Sequence, residues 1–429
     1  MDIYVVQQGD TIYSIADKYG VTVDKLTQDN GLIFPYNLVI GQAIVIAIPK
    51  QSHIVQEGDT LQNIADTYHV SLMQLLRNNP VLATREYIYP GETIVISYNT
   101  IGSITMNGYA YPYIMQDTLL KTLPNLTYIS ILNYQIAENG EILSFHDDTD
   151  VIIKSKEYGV IPLMLVAPLS AQGVPDYEIS IKILLNNEYQ DNLIEKFIEI
   201  IHAKGYYGVN ITFNFLSVDT QFFFLNFARK VSARAKQEGL LFFLTINYDI
   251  MEVNNEIVFE KVDYSDFNDY VDGFIFLDLV WGTNYSPPGP VCNISQISIL
   301  VDYLISSGVS RDKIIIGKPV IGYDWRLPYT LGTSASSLTL FTALELAHNF
   351  GAIIDFDEES QTPFYYYKEL LIAAPSEHIV WFLDSRSFNA ADKLIMNNGL
   401  NGAGIWNIMI YYPQLWVVVY SQYDVIKLI

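Results

Sequence analysis

The residues whose types and spacing could do chemistry lie together in one stretch, Tyr206-Tyr207-Gly208-Val209-Asn210-Ile211-Thr212-Phe213-Asn214-Phe215. It alternates strictly, with Val209, Ile211, Phe213 and Phe215 on one face and Asn210, Thr212 and Asn214 on the other. Period two with β-branched and aromatic residues is a strand. A strand buried on both sides avoids three polar residues in a row unless they line a site, because a buried polar group without a partner is costly. Two amides and a hydroxyl donate and accept hydrogen bonds, but none of them carries a proton it can release near neutral pH. The column can hold a ligand; it cannot act as a general acid.

The elements that would position this column are strands alternating with helices. Candidate strands are Ser103–Tyr109, Leu126–Tyr134, Gly159–Val166, Gly208–Phe215, Leu240–Tyr248, Val271–Leu279, Lys313–Gly322 and Gly402–Ile408. Helical stretches separate most of them, notably Asn192–Ala203, Thr220–Glu238 and Ile294–Ser307. Eight apolar strands alternating with helices predict an α/β protein, a (β/α)8 TIM barrel, whose functional groups sit at the C-terminal ends of the strands. The gap before the eighth strand is too long for one helix. It holds a helical stretch, Ala335–Phe350, then short strands at Ala352–Phe356, Phe364–Tyr367 and His378–Phe382, which predict a small α+β insertion over about 329–382.

The column Asn210-Ile211-Thr212-Phe213-Asn214 resembles the fourth barrel strand of family 18 glycoside hydrolases, the chitinase and N-acetylglucosaminidase group. That family carries D-x-D-x-E here, its Glu the general acid and its second Asp the group that steers the substrate's N-acetyl. The frame matches and the chemistry does not. Strand six departs in the same way. Where the resemblance implies Met-x-Tyr-Asp, Leu277 fits the Met, Leu279 replaces the Tyr and Val280 replaces the Asp. Asp278 has the opposite parity, and a slip of one residue would bring it inward. Asp278 and Asp249 are the spare carboxylates for a relocated acid. By the same resemblance Trp406 floors a sugar subsite. Tyr109, Tyr134, Trp281, Tyr323 and Trp325 are candidates to ring the mouth, since aromatic faces pack on the C–H face of a sugar without needing charge.

The first hundred residues repeat. Val6-Gln7-Gln8-Gly9-Asp10-Thr11 recurs as Val55-Gln56-Glu57-Gly58-Asp59-Thr60, Ile15-Ala16 as Ile64-Ala65 and Asn30 as Asn79, at a constant spacing of 49 residues (Gly9 to Gly58). Each unit reads as a strand, two short helices and a strand, with the Asp or the Thr of Gly-Asp-Thr as helix N-cap. The units resemble LysM, the βααβ module that binds N-acetylglucosamine (GlcNAc) in peptidoglycan and chitin. The resemblance places ligand loops at Gly9, Asp10, Thr11 and the segment after Asn30, and at Gly58, Asp59, Thr60 and the segment after Asn79. The expected division is 1–49 and 52–98 for the two modules and 101–429 for the barrel. Two LysM units before a family 18 barrel match the spore-cortex N-acetylglucosaminidase type. That type implies a protein made in the mother cell and placed on the spore or cell envelope without a signal peptide.

Composition narrows the partners. The 429 residues carry 47 acidic and 24 basic side chains, a formal net charge of -23, which argues against nucleic acid and against anionic membrane surfaces. No run of roughly 18 uncharged apolar residues predicts membrane insertion. Met1-Asp2-Ile3-Tyr4 has neither a basic nor an apolar leader region, so no secretory signal is expected. The single cysteine, Cys292, excludes an intrachain disulfide, and no metal or other cofactor is implied. The 32 tyrosines fit carbohydrate stacking or a place in an ordered assembly. Three functions remain in play: a non-catalytic binder of GlcNAc-containing glycan, an active N-acetylglucosaminidase with a relocated acid, and a structural protein of a spore coat that meets coat proteins or itself.

Overall fold

The structure is a computed structural model that describes residues 1–33, 36–137, 141–169, 175–248, 250–253, 256–277, 285–369 and 376–429. The N-terminal repeat folds twice into the same unit. In the first, strands Asp2–Val5 and Ala43–Ile46 pair antiparallel around helices Ile12–Tyr19 and Val23–Asn30. In the second, strands Gln51–Ile54 and Thr93–Ser97 pair around helices Leu61–Tyr68 and Leu72–Asn78. The helix cap is the Thr of Gly-Asp-Thr. Thr11 Oγ1 accepts the N–H of Ser14, and Thr60 Oγ1 that of Asn63, while Ser14 Oγ and Asn63 Oδ1 accept the Thr N–H in return. Asp10 and Asp59 instead close the preceding turn. They accept the N–H of Gln7 and Gln56 at 2.7 Å each and bond Tyr4 Oη and His53 Nε2.

Eight parallel strands close the barrel: β1 (Gly102–Ala110), β2 (Tyr128–Ile136), β3 (Ile161–Pro168), β4 (Gly208–Phe213), β5 (Leu241–Ile246), β6 (Gly273–Phe276), β7 (Ile314–Pro319) and β8 (Gly402–Trp406). Each pairs with its neighbours, and β8 returns to β1. Alternation sorts the side chains into two cores. Val209, Ile211, Phe213, Phe274 and Phe276 pack outward under the helices, whereas Tyr109, Leu163, Leu165, Phe243, Ile275, Leu277 and Ile315 fill the lumen. Near its top β2 also pairs with a short antiparallel strand, Ile142–Ser144.

The insertion before β8 is a five-stranded antiparallel sheet with the helix Leu340–Asn349. It begins earlier than the sequence pattern implied. Its first strand in the chain, Gly322–Leu327, directly follows β7 and pairs with both Ser336–Leu338 and Ser376–Trp381. The helix is shorter than expected because Thr339 caps it, accepting the N–H of Thr342.

The first repeat unit is fastened to the barrel by its own asparagine. Asn30, 3% exposed, donates from Nδ2 to Leu26 O and Val45 O, and its Oδ1 accepts Val45 N–H and Gln414 Nε2. Gln414 begins the C-terminal helix Pro413–Tyr420 and also donates to Ala43 O. Gly41 closes the contact, since a Cβ there would lie 1.9 Å from Ile354 O. Asn79 makes the same clamp in the second unit, to Leu75 O and to Val95 O and N–H, with no barrel partner for the amide among the described residues. That unit meets the barrel through Tyr98, whose ring lies 5.6 Å from that of Tyr420.

These clamps set a stability order. Asn79→Ala strands the backbone groups of Val95 and should cost about 1–3 kcal/mol. Asn30→Ala also strands Gln414 and should cost about 1 kcal/mol more. The check is the urea midpoint of the full chain. Equal midpoints for the two variants would contradict the fastening role of Gln414.

Candidate active site

The polar column of β4 points into the lumen, as its parity requires, and it is the centre of a hydrogen-bonded chain. Thr245 Oγ1 on β5 donates to Asn210 Oδ1 (2.9 Å), and Asn210 Nδ2 donates to Ser130 Oγ on β2 (2.9 Å). Ser130 in turn donates to Asn107 Oδ1 on β1 (2.9 Å), and Tyr109 Oη lies 2.6 Å from Thr245 Oγ1. The only proton of Thr245 is committed to a carbonyl-type acceptor, so Tyr109 must be the donor to Thr245. Hydrogen bonds therefore run one way, from Tyr109 through Thr245, Asn210 and Ser130 to Asn107. Burial pushes the Tyr109 phenol well above its ordinary range, which keeps that first donor protonated. Every member is uncharged.

Asn214, just past the end of β4, is different. Both its Oδ1 and Nδ2 are shut off from solvent and have no hydrogen-bond partner among the described residues. An amide held this way costs stability and marks a place where a ligand could supply the missing partners. It can donate an N–H to a glycosidic oxygen. It cannot protonate one. Trp406 is half-buried at the end of β8, with Tyr109 and Tyr111 meeting its ring edge-on, centroids 5.4 and 6.4 Å away. Gly404, two residues before, leaves the room, since a Cβ there would come within 2.8 Å of Ile275 and 3.6 Å of the Tyr109 ring. An aromatic ring and an uncharged amide are side chains that suit a neutral, polyhydroxylated ligand.

Several expected mouth residues are elsewhere. Tyr134 does not ring the mouth. The pairing of β2 with β3 shifts register between Leu132 and Tyr134, which turns Tyr134 out of the lumen into the core beneath the helices. Its hydroxyl donates to Asp148 Oδ2 at 2.5 Å. Tyr323 and Trp325 are 1% and 2% exposed in the core of the insertion, so neither offers a face to a sugar. Asp249, Asp278, Leu279 and Trp281 lie outside the described residues. At the repeat units the side chains of Asp10, Asp59, Asn30 and Asn79 are spent on the fold, which leaves the open backbone of the Gly9 and Gly58 turns (φ 87° and 89°) for a ligand. Among the described residues no group of three or more His, Cys, Asp or Glu is placed to hold a metal ion. The residues that sequence reasoning missed, Asn107, Ser130, Thr245 and Tyr111, carried a signal. The first three are polar residues at lumen-facing positions of apolar strands, as Asn210 is.

A second polar hub stands behind the barrel wall. Asp148 is fully buried and accepts from Tyr134, from Tyr206 (2.6 Å) and from Asn133 Nδ2 (3.1 Å), with Lys204 Nζ 3.1 Å from its other oxygen. Burial pushes its carboxyl up. The phenols of Tyr134 and Tyr206, Lys204 and Asn133 outweigh that, and it sits below the ordinary carboxylate range. A depressed folded-state value contributes stability above the unfolded value, about 3.9, which is lost as pH falls through the folded value. Asp148→Asn should therefore cost about 2–3 kcal/mol at pH 7 and flatten the loss of stability below about pH 4. Thermal melts across pH 2–7 check this. An unchanged acid slope would contradict it.

The comparisons with known proteins agree with this geometry. The LysM domain model matches residues 4–47 and 53–97, and the glycosyl hydrolases family 18 model matches residues 176–409. The chain is 32% identical, over 100% of its length and 99% of the relative's, to the cortical fragment-lytic enzyme of Bacillus subtilis. It is 30% identical, over 97% of its length and 98% of the relative's, to the putative sporulation-specific glycosylase YdhD of the same organism. The crystal structure of the spore cortex-lytic enzyme SleL of Bacillus megaterium superposes with a TM-score of 0.79 at 27% identity, covering 100% of this chain and 99% of that one.

Proposed function

We propose, since the chain belongs to glycosyl hydrolases family 18 and carries two LysM domains ahead of its barrel, that it binds GlcNAc-containing glycan of the peptidoglycan, spore cortex or chitin kind without hydrolysing it. One observation carries this reading. The column where the resemblance places carboxylates is Asn210, Thr212 and Asn214, and Asn210 is the midpoint of an uncharged hydrogen-bond chain. The site keeps what recognises a sugar, an aromatic floor and amide donors. Its column offers, among the described residues, no group that would protonate a leaving group. Removal of a general acid costs about 10²–10⁴-fold in rate. The relatives' spore-related names support a place at the spore envelope.

A second reading has one observation in its favour. Relatives along the whole chain are named as lytic enzymes. On that reading Asp249 or Asp278 would supply the acid.

The experiment pairs binding with turnover on the purified full chain. Insoluble peptidoglycan and chitin should retain it, and Trp406→Ala should weaken retention by about tenfold or more. Chromogenic GlcNAc oligomers should release nothing above the buffer rate. Restoring Thr212→Asp, Asn214→Glu and Leu279→Tyr together should produce measurable release. Turnover by the unaltered chain that Asp249→Asn or Asp278→Asn abolishes would establish the second reading instead.

A further inference from the structure

The two repeat units hold their Gly-Asp-Thr turns with different charges. In the first, Asp10 Oδ2 accepts the hydroxyl of Tyr4 and the N–H of Gln7, each at 2.7 Å. Lys18 supplies the nearby cation, its Nζ 4.3 Å from the centre of the Tyr4 ring. At the matching places of the second unit, Tyr4 becomes His53 and Lys18 becomes Thr67. There Asp59 Oδ2 takes the bond from His53 Nε2 at 2.8 Å and the N–H of Gln56 at 2.7 Å. Tyr68, the counterpart of Tyr19, meets the imidazole edge-on at 5.6 Å, with its Oη 3.1 Å from His53 Nδ1. The cation beside the second turn is therefore the imidazole itself.

That difference decides how each turn responds to pH. In both units the carboxyl sits below the ordinary carboxylate range, held there first by the bond from Tyr4 in one and from His53 in the other. An ionised carboxylate only accepts, so Nε2 carries a proton in either charge state of the ring. In the neutral ring Nδ1 accepts from Tyr68. In the charged ring it donates to Tyr68, and Asp59 faces a full opposite charge. Asp59 and Tyr68 are the titratable groups that face the ring, and its opposite number on the paired strand is Ile94. The side chains of His53 and Asp59 are 17% and 21% exposed, so salt screens the pair only in part. Phenols and ammonium groups keep their charge between about pH 5 and 8, whereas an imidazole changes its own there. Whatever the imidazolium adds to the second turn is present below its titration and lost as pH rises through it. The first turn, built with a phenol and an ammonium, does not sense that range.

We infer that His53 is a positioning residue for the ligand turn of the second module, and that it makes the glycan affinity of that module alone rise as pH falls from about 8 to about 5.5. This rests on the glycan-binding reading above and deepens it, because it divides the affinity into a pH-graded part and a constant part. Asp59 closes the turn whose open backbone at Gly58 is left for a sugar, and His53 acts through Asp59 without touching the ligand. A turn held more firmly before binding loses less freedom on binding.

The test is retention of the full chain on insoluble peptidoglycan and on chitin between pH 5.5 and 8. It is read as the difference between the unaltered protein and His53 variants, so that titration of the matrix cancels. His53→Tyr gives the second unit the residue that the first carries, and His53→Gln keeps an N–H donor that does not titrate. Relative to either variant, the unaltered chain should gain about three- to tenfold in affinity from pH 8 to pH 5.5. A merely structural His53 would shift retention equally at every pH. If the unaltered protein and both variants share one pH slope, the inference is overturned and the glycan-binding reading stands. If the unaltered chain is retained on neither matrix at any pH, that reading falls, and the role of His53 with it.

Discussion

In a barrel lumen shut off from water a polar atom without a partner is costly, and a charge without a countercharge more so. Asn210 avoids that cost by bonding Ser130 through its nitrogen and Thr245 through its oxygen. The rest of the lumen follows from that choice. Ser130 must then pass its proton to Asn107, and Thr245 must receive one from Tyr109. A carboxylate in place of Asn210 would lose the donor to Ser130 and would bring a charge into a chain with no cation. The buried Lys318 on β7 does not serve, because it points out of the lumen to Asp392 on the helix Ser385–Asn397. Burying an ion without a partner costs several kcal/mol. The neutral column is thus a property of the whole lumen and not of three isolated positions.

The same rule, that buried polar groups are paired, organises the rest of the molecule. Asn30 and Asn79 each knit a helix to a strand, and through Gln414 the first of them also joins its unit to the barrel. The two repeat units and the barrel therefore meet through specific bonds and not through a loose linker. Binding surfaces on such a body are presented in a fixed relation, which favours a polymer that can reach more than one of them. Asp148 applies the rule at the rim, where four partners hold one carboxylate.

Much of this was legible in the sequence. The strict alternation of residues 209–215 placed Asn210, Thr212 and Asn214 on the lumen side, and the repeat of Gly-Asp-Thr with Asn30 and Asn79 marked two like units. What failed had physical causes. Tyr134 obeys the parity of its strand until the register shift after Leu132, and a shift of that kind cannot be read from alternation alone. Tyr323 and Trp325 follow β7 directly, yet belong to a sheet with its own core, because the chain leaves the barrel at Gly322. Asn30 and Asn79 stood out as loop residues near a ligand, whereas their partners, Val45 and Val95, are distant in sequence and close only in the fold. The network through Ser130 and Thr245 joins four strands, so no single stretch displays it.

The central claim is that the mouth recognises sugar with neutral groups. Linked protonation tests it most directly: GlcNAc dimer binding is measured by calorimetry at pH 5 and pH 8, in buffers of different ionisation enthalpy, for the unaltered protein and for Trp406→Ala. The part of the affinity that depends on Trp406 should be the same at both pH values, with no net proton exchanged. A proton taken up or released with that part would reveal a carboxyl group in the mouth and contradict the account.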